Sequence, residues 1–93
     1  MPLRFAWDAR KAAANLRKHG VSFAEAATAF GDPLSITIAD PDHSVTETRF
    51  ILIGRSRNDH LVVVAHMERG ETIRLISARP ASRRERDRYE EGE

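Results

Sequence analysis

Apolar residues recur along the chain with two different periods, and the change of period divides it into a helical opening and a strand-rich remainder. Ala9, Ala12, Ala13 and Leu16 fall on one helical stripe. Asp8 stands in the N-cap position ahead of them, and Gly20 ends the helix with Lys18 and His19 in its last turn, where cations suit the dipole. A second helix is predicted at once. Ser22 and Glu25 form a capping box, Phe23, Ala26, Ala27 and Phe30 repeat on one face, and Gly31-Asp32-Pro33 stops the run. Ahead of both helices, Phe5-Ala6-Trp7 reads as a short strand able to bury two aromatic rings.

From residue 34 the period becomes that of a strand. Residues 34–38 alternate apolar and polar, as a half-buried strand does, and Asp40-Pro41-Asp42 turns the chain. Residues 49–54 and 61–67 are near-continuous apolar runs, expected as central strands covered on both faces, with residues 55–59 as the loop between them. Residues 68–71 form another turn and 72–78 another strand. Such short polar connections predict antiparallel hairpins. Pro80 closes the last strand, and Ser82 with Glu85 offers a capping box for a C-terminal helix.

The fold class that follows is α+β: a twisted antiparallel sheet of about four strands, two N-terminal helices on one face and a C-terminal helix, in a single domain over residues 1–93. Two apolar helix stripes cover one face of a sheet. The opposite face is where function is expected. The terminal helix has little to hold it, since Tyr89 and Gly92 are its only uncharged residues over 83–93. Pairs such as Arg83 with Asp87 and Arg86 with Glu90 are worth only ~0.2–0.5 kcal/mol each. It therefore either frays or is completed by another surface.

Composition sharpens this picture in three ways. The 93 residues contain no cysteine, which excludes disulfides, thiolate metal sites and cysteine nucleophiles. No apolar stretch follows Met1 or approaches the ~20 residues that span a bilayer, so a soluble, cytoplasmic protein without a membrane partner is expected. The net charge is only +1, yet 13 of the 15 basic residues are arginine. The charge is also uneven. Residues 32–48 carry four acidic groups and no basic one, whereas residues 49–79 carry six basic groups and three acidic. A nucleic acid is permitted as partner by the basic segments and not demanded by the total. A bias toward arginine codons would give the same composition.

A specific resemblance runs through the whole sequence. It begins with Trp7-Asp8, Lys11, Asn15, Lys18-His19-Gly20-Val21-Ser22-Phe23 and Glu25-Ala26. It continues through Phe30, Asp32-Pro33, Asp42-His43-Ser44, Glu47, Arg49, Ile53-Gly54 and Ser56. It closes with Arg69-Gly70, Ile73-Arg74, Ile76-Ser77-Ala78-Arg79, Ala81, Glu85-Arg86 and Tyr89. In order and spacing these resemble the BrnT family of toxins, with Pro80 standing where that family more often has a charged or polar residue. The resemblance implies a RelE/ParE-like fold and ribonuclease activity, and with it inhibition of translation and growth. A reaction without a metal or other cofactor is expected because thiols are lacking and because Asp40, Asp42 and His43, although ligand types, match no recognised metal-site spacing. The resemblance also implies a partner: a BrnA-type ribbon-helix-helix antitoxin, in a 2:2 complex that binds operator DNA through the antitoxin.

Metal-free RNA cleavage needs a base for the ribose 2′-hydroxyl, an acid for the leaving 5′-oxygen and cations for the phosphate. Arginine suits the last role because its fork meets two phosphate oxygens at once. Arg49, Arg69, Arg74 and Arg79 all lie in or beside expected strands, and Arg79, which ends an apolar strand, is the first choice for a clamp, together with Arg69 and Arg49. A surface arginine paired with a carboxylate is the plain alternative for each. His43 and Glu47 are the candidate base and acid; as alternatives, His43 is a turn residue and Glu47 a partner of Arg49 or Arg69. Spacing alone makes Lys11 a solvated helix lysine, and only the resemblance makes it a phosphate contact. Trp7 could stack on a base but is expected in the core, His66 in the core or at its edge, and His60 in a loop. The rival to a ribonuclease is a non-catalytic binding module, either a corepressor subunit or a ParE-like toxin that blocks a protein target.

Overall fold

The computed structural model describes residues 3–40 and 48–92, so the candidate base and acid, His43 and Glu47, lie outside the described residues. The described strands are β1 (Arg4–Ala6), β2 (Ile36–Ala39), β3 (Arg49–Arg55), β4 (Leu61–Arg69) and β5 (Thr72–Pro80). The helices are α1 (Ala9–His19), α2 (Phe23–Thr28), continued by a 3₁₀ turn (Ala29–Gly31), and α3 (Arg83–Glu91). The N-caps form at the expected residues: the Asp8 carboxylate accepts from the Arg10 and Lys11 amides, Ser22 caps α2, and Ser82 with Glu85 completes the box of α3. The box expected of Ser22 and Glu25 is only half made, because the Glu25 carboxylate turns to Ser56 and His60 instead.

The strands form one sheet in the order β1-β5-β4-β3-β2. The hairpins β2–β3, β3–β4 and β4–β5 are antiparallel, but β1 pairs in parallel with β5 through Arg4↔Thr72, Phe5↔Ile73 and Ala6↔Arg74. The sheet is thus mixed and five-stranded, which corrects the expectation of about four antiparallel strands. The physical reason is connectivity. The chain leaves β1 through two helices and three strands before it returns beside β1, and periodicity fixes no direction over so long an excursion.

One face of the sheet holds the main core. Phe5, Leu52, Val62, Val64, Ile73, Leu75 and Ala78 meet Ala12, Val21, Phe23, Ala26 and Ala29 from the helical layer. Burying one such Leu or Phe side chain stabilises by ~1.5–3 kcal/mol. His66 is fully buried on this face, between the rings of Phe30 at 4.8 Å and Phe50 at 5.9 Å. Gly54 is required where the 3₁₀ turn crosses β3, because a Cβ there would sit 3.0 Å from the Ala29 carbonyl oxygen.

Two readings of the N-terminal segment are overturned. Ala9, Ala13 and Leu16 are exposed, and the fully inward residue of α1 is Asn15. Its side-chain amide donates to the carbonyls of Val21 (2.9 Å) and Ala78 (2.8 Å), and its oxygen accepts the Ala78 amide at 3.1 Å. Since β1 pairs only with residues 72–74, the outer edge of β5 at Ala78 is open, and one Asn side chain serves there as the missing strand. Trp7 likewise lies beyond β1 and is 38% exposed, touching Phe23 edge-to-face.

Candidate functional site

Side chains alternate across a strand, so the register decides which residues share the face away from α1 and α2. Arg49 lies opposite Met67, and Met67 opposite Arg74. Arg69 lies opposite Thr72, and Thr72 beside Arg4. All of these stand on the uncovered face. Farther along it, Ile51 meets Ala65 and Ser77, and Ile53 meets Val63 and Arg79.

A β-bulge sets this arrangement. Ala65 pairs with Ser77 but His66 pairs with Leu75, so Ile76 is an extra residue in β5. In a regular strand Arg74 and Arg79 would point to opposite faces. The bulge reverses the parity and brings them to one face, on which Arg49 and Arg69 also stand.

Helix α3 lies across one end of this face and builds a second small core from Ile53, Leu61, Val63 and Tyr89, flanked by Ile36, Ile51 and Ala81. Contrary to the expectation that little holds it, α3 is fastened by named contacts. Tyr89 is buried, and its hydroxyl donates to Asp32 at 2.7 Å. The guanidinium of Arg55 lies 5.6 Å from the Tyr89 ring centroid. Burial pushes the Asp32 carboxyl up, but hydrogen bonds from Tyr89, the Arg55 amide and the Leu34 amide hold it below the usual range. The expected pairs Arg83–Asp87 and Arg86–Glu90 are not among the ion pairs of the described residues.

What remains open is the end of the face that carries the arginines. A groove of about 290 Å³ is lined there by Ala6, Met67, Arg69, Thr72 and Arg74. Arg49 and Arg74 flank Met67 at two strand spacings, about 10 Å between backbones, close enough for both long side chains to meet one phosphate. Lys11 is exposed on α1, and together with Arg74 it acts on Asp8; the capping amides of Arg10 and Lys11, then these two cations, hold the Asp8 carboxyl below its ordinary value. Lys11 therefore belongs to the Arg74 end of the molecule. A larger, shallower depression of about 620 Å³ lies on the helical side, by Phe5, Phe30, Asp32 and Arg57. It offers little chemistry, because Asp32 is already committed to Tyr89, Arg55 and Leu34.

Arg79 is on the same face but differently placed. It stands about 15 Å along β5 from Arg74, and its fork is filled by Glu85 at 2.8 and 2.7 Å. That bidentate contact holds Glu85 down to about 2 and raises Arg79. Three of the expected site residues, Arg49, Arg69 and Arg79, thus share a face, with Lys11 near its Arg74 end. Arg74, which the sequence names but does not put among the first clamps, stands in the row beside Met67, and Glu85, read only as a capping residue, fills the fork of Arg79. The capping-box spacing is the available signal for Glu85, since it turns the carboxylate back toward the Ser82 amide and so toward the end of β5. His60 lies just before β4 as expected of a loop residue, yet reaches Glu25 at 2.7 Å.

Comparison with known proteins identifies the family and the fold. Residues 7–85 match the family described as ribonuclease toxin, BrnT, of type II toxin–antitoxin system. The crystal structure of the Brucella abortus ribonuclease toxin BrnT is similar, with a TM-score of 0.65 and 28% identity over 87% of this chain and 99% of that one. No curated protein matches the chain.

Proposed function

Because the chain belongs to the BrnT family of ribonuclease toxins of type II toxin–antitoxin systems, we propose that it cleaves RNA on the uncovered face of its sheet, without a metal. The observation that carries this reading is the row Arg49–Met67–Arg74, with Arg69 one step farther along β4 on the same face. Preorganised guanidinium groups on paired strands can take up charge that grows on a phosphate, at little reorganisation cost. Arg49, Arg69 and Arg74 hold the scissile phosphate, and Lys11 supports them from α1.

In the proposed reaction the ribose 2′-oxygen attacks phosphorus as a base removes its proton. The bond to the 5′-oxygen breaks, that oxygen takes a proton from an acid, and a 2′,3′-cyclic phosphate remains. His43 and Glu47, just upstream of Arg49 in sequence, are assigned this proton-transfer pair; spacing alone does not say which is base and which acid. Arg79 joins the phosphate contacts when a phosphate displaces Glu85 from its fork. Loss of cellular RNA then stops translation and growth. A toxin–antitoxin system implies an antitoxin, and we assign a BrnA-type ribbon-helix-helix protein in a 2:2 complex that reads operator DNA through the antitoxin.

Incubating the purified protein with RNA in excess chelator tests the reading. Cleavage to products ending in cyclic phosphate, abolished in Arg74→Gln, is expected. Intact RNA at all protein concentrations would favour a toxin that blocks a protein target.

A further inference from the structure

A second constellation stands apart from the arginine row, at the end of the sheet where α1 ends and β4 begins. Glu25 of α2, with its side chain only 14% exposed, gathers donors from the β3–β4 loop. The Ser56 hydroxyl donates to its Oε2 at 2.7 Å, and the His60 Nδ1 stands 2.7 Å from the same oxygen. The loop is itself cross-tied, because the His60 amide donates to the Ser56 hydroxyl and the Ser56 amide to the His60 carbonyl. The Ser56 bond, then those of His60 and Asn58, hold the Glu25 carboxyl below its ordinary range although burial opposes this. Glu25 is therefore an ionised group with a fixed geometry.

The consequence falls on His60. Its imidazole is 67% exposed and contributes nothing to either core, yet one ring nitrogen is anchored. A carboxylate that fixes Nδ1–H leaves Nε2 as the outward-facing nitrogen. His60 also lines a groove of about 360 Å³, whose other charged or titratable walls are His19, Arg55, Asp59 and Arg86. Asp59 answers Arg55 at 3.3 Å, which leaves Arg86 and His19 as side-chain donors of the groove, joined by His60 Nε2 when that ring carries both protons. Arg86 has no ion pair among those of the described residues.

We propose that this groove is a second site of the protein, which binds a phosphate group through His60, His19 and Arg86, with Glu25 as the residue that orients His60. In the imidazolium form, Nδ1–H is committed to Glu25 and Nε2–H points to the anion. Two imidazoles and a guanidinium lining one groove offer N–H groups suited to a tetrahedral oxyanion. The phosphate comes either free or on a nucleic-acid strand, and binding there does not depend on cleavage at the arginine row.

Ring-nitrogen NMR of the histidines in the whole protein tests this, with inorganic phosphate as one probe and a 2′-O-methyl oligonucleotide, which has no nucleophilic hydroxyl, as the other. Saturable shifts of His60 and His19 are expected with phosphate. A charge-assisted contact is worth enough that His60→Ala or Arg86→Gln should weaken binding about tenfold. Both side chains are exposed, so folding is retained, and unchanged amide spectra of the core check it. Arg74→Gln should leave the phosphate titration unchanged while reducing RNA cleavage, so that the two sites are told apart. Shifts with both probes mean a strand phosphate can enter, and shifts with phosphate alone mean a free-anion site. Absence of saturable shifts with either probe, or equal affinity in the wild type and both groove variants, overturns the proposal.

Discussion

Arg79 and Glu85 meet fork to fork, with two parallel hydrogen bonds of 2.8 and 2.7 Å between β5 and the first turn of α3. The same Glu85 carboxylate also accepts the Ser82 amide at 2.8 Å. One residue therefore caps the helix, fastens it to the sheet and occupies the guanidinium that sequence reasoning puts first as a phosphate clamp.

This contact predicts an acid-labile helix. Glu85 ionises at about 2 in the folded protein against an ordinary 4.5. A carboxyl whose folded pKa is depressed contributes stability above its unfolded pKa and loses it as pH falls through the folded value. The wild type should thus be more stable than Glu85→Gln above pH 4.5, and the difference should shrink toward pH 2. Thermal melting of both proteins across that range measures it. A gap in Tm that stays constant down to the folded value would contradict the assignment.

The row across β3, β4 and β5 predicts a geometric need for arginine. Arg49→Lys and Arg74→Lys keep the charge but lack the planar fork, and each should lower RNA cleavage by about ten- to a hundredfold. Replacement by Gln should in addition flatten the salt dependence of RNA binding, by ~0.7 in log–log slope for each phosphate that is no longer neutralised. Native cleavage rates in both Lys variants, with folding intact, would remove the row from the mechanism.

Asn15 predicts a stability defect without direct loss of chemistry. Its amide serves two carbonyls and one N–H in a buried setting. Asn15→Ala leaves Ala78 at the edge of β5 and the Val21 carbonyl between α1 and α2 unpaired, which should cost about 3 kcal/mol at ~1 per hydrogen bond. Denaturant unfolding measures this. A loss below about 0.5 kcal/mol, the usual scale for a surface substitution, would mean that water replaces the side chain freely.

Much of this fold is legible in the sequence because capping boxes and apolar runs are local signals. Asp8, Ser22 and Ser82 start helices where the spacing says they do, and the strands around Leu52, Val64 and Leu75 begin at the expected residues and run one or two residues past the expected ends. What is not legible depends on distant partners. Asn15 has no local mark of burial, because its partner Ala78 lies 63 positions away. Leu16 reads as core because it shares a stripe with small apolar residues, yet of that stripe only Ala12 packs on the core, and Leu16 itself is 50% exposed. The shared face of Arg74 and Arg79 depends on the extra residue Ile76, and one inserted residue inverts the parity that any alternation argument assumes.

The final prediction concerns the antitoxin. The uncovered face combines arginines with the apolar Met67 and Ala65, so a partner that silences the toxin there must offer both carboxylates and an apolar strip. Helix α3 borders that surface and is fastened mainly at Glu85 and Tyr89, so its last turn beyond Tyr89 should exchange amide hydrogens fast in the free protein. On complex formation, residues 83–92 and the β4–β5 turn between Arg69 and Thr72 should slow markedly, and RNA should be displaced. A different surface supplies the opposing outcome. Trp7 and Leu16, 38% and 50% exposed, line an apolar groove of about 250 Å³ with Ala13 and Phe23 on the far side of the molecule. Protection confined to that groove, with the β4–β5 turn unchanged, would mean that the antitoxin acts from a distance and does not cover the arginines.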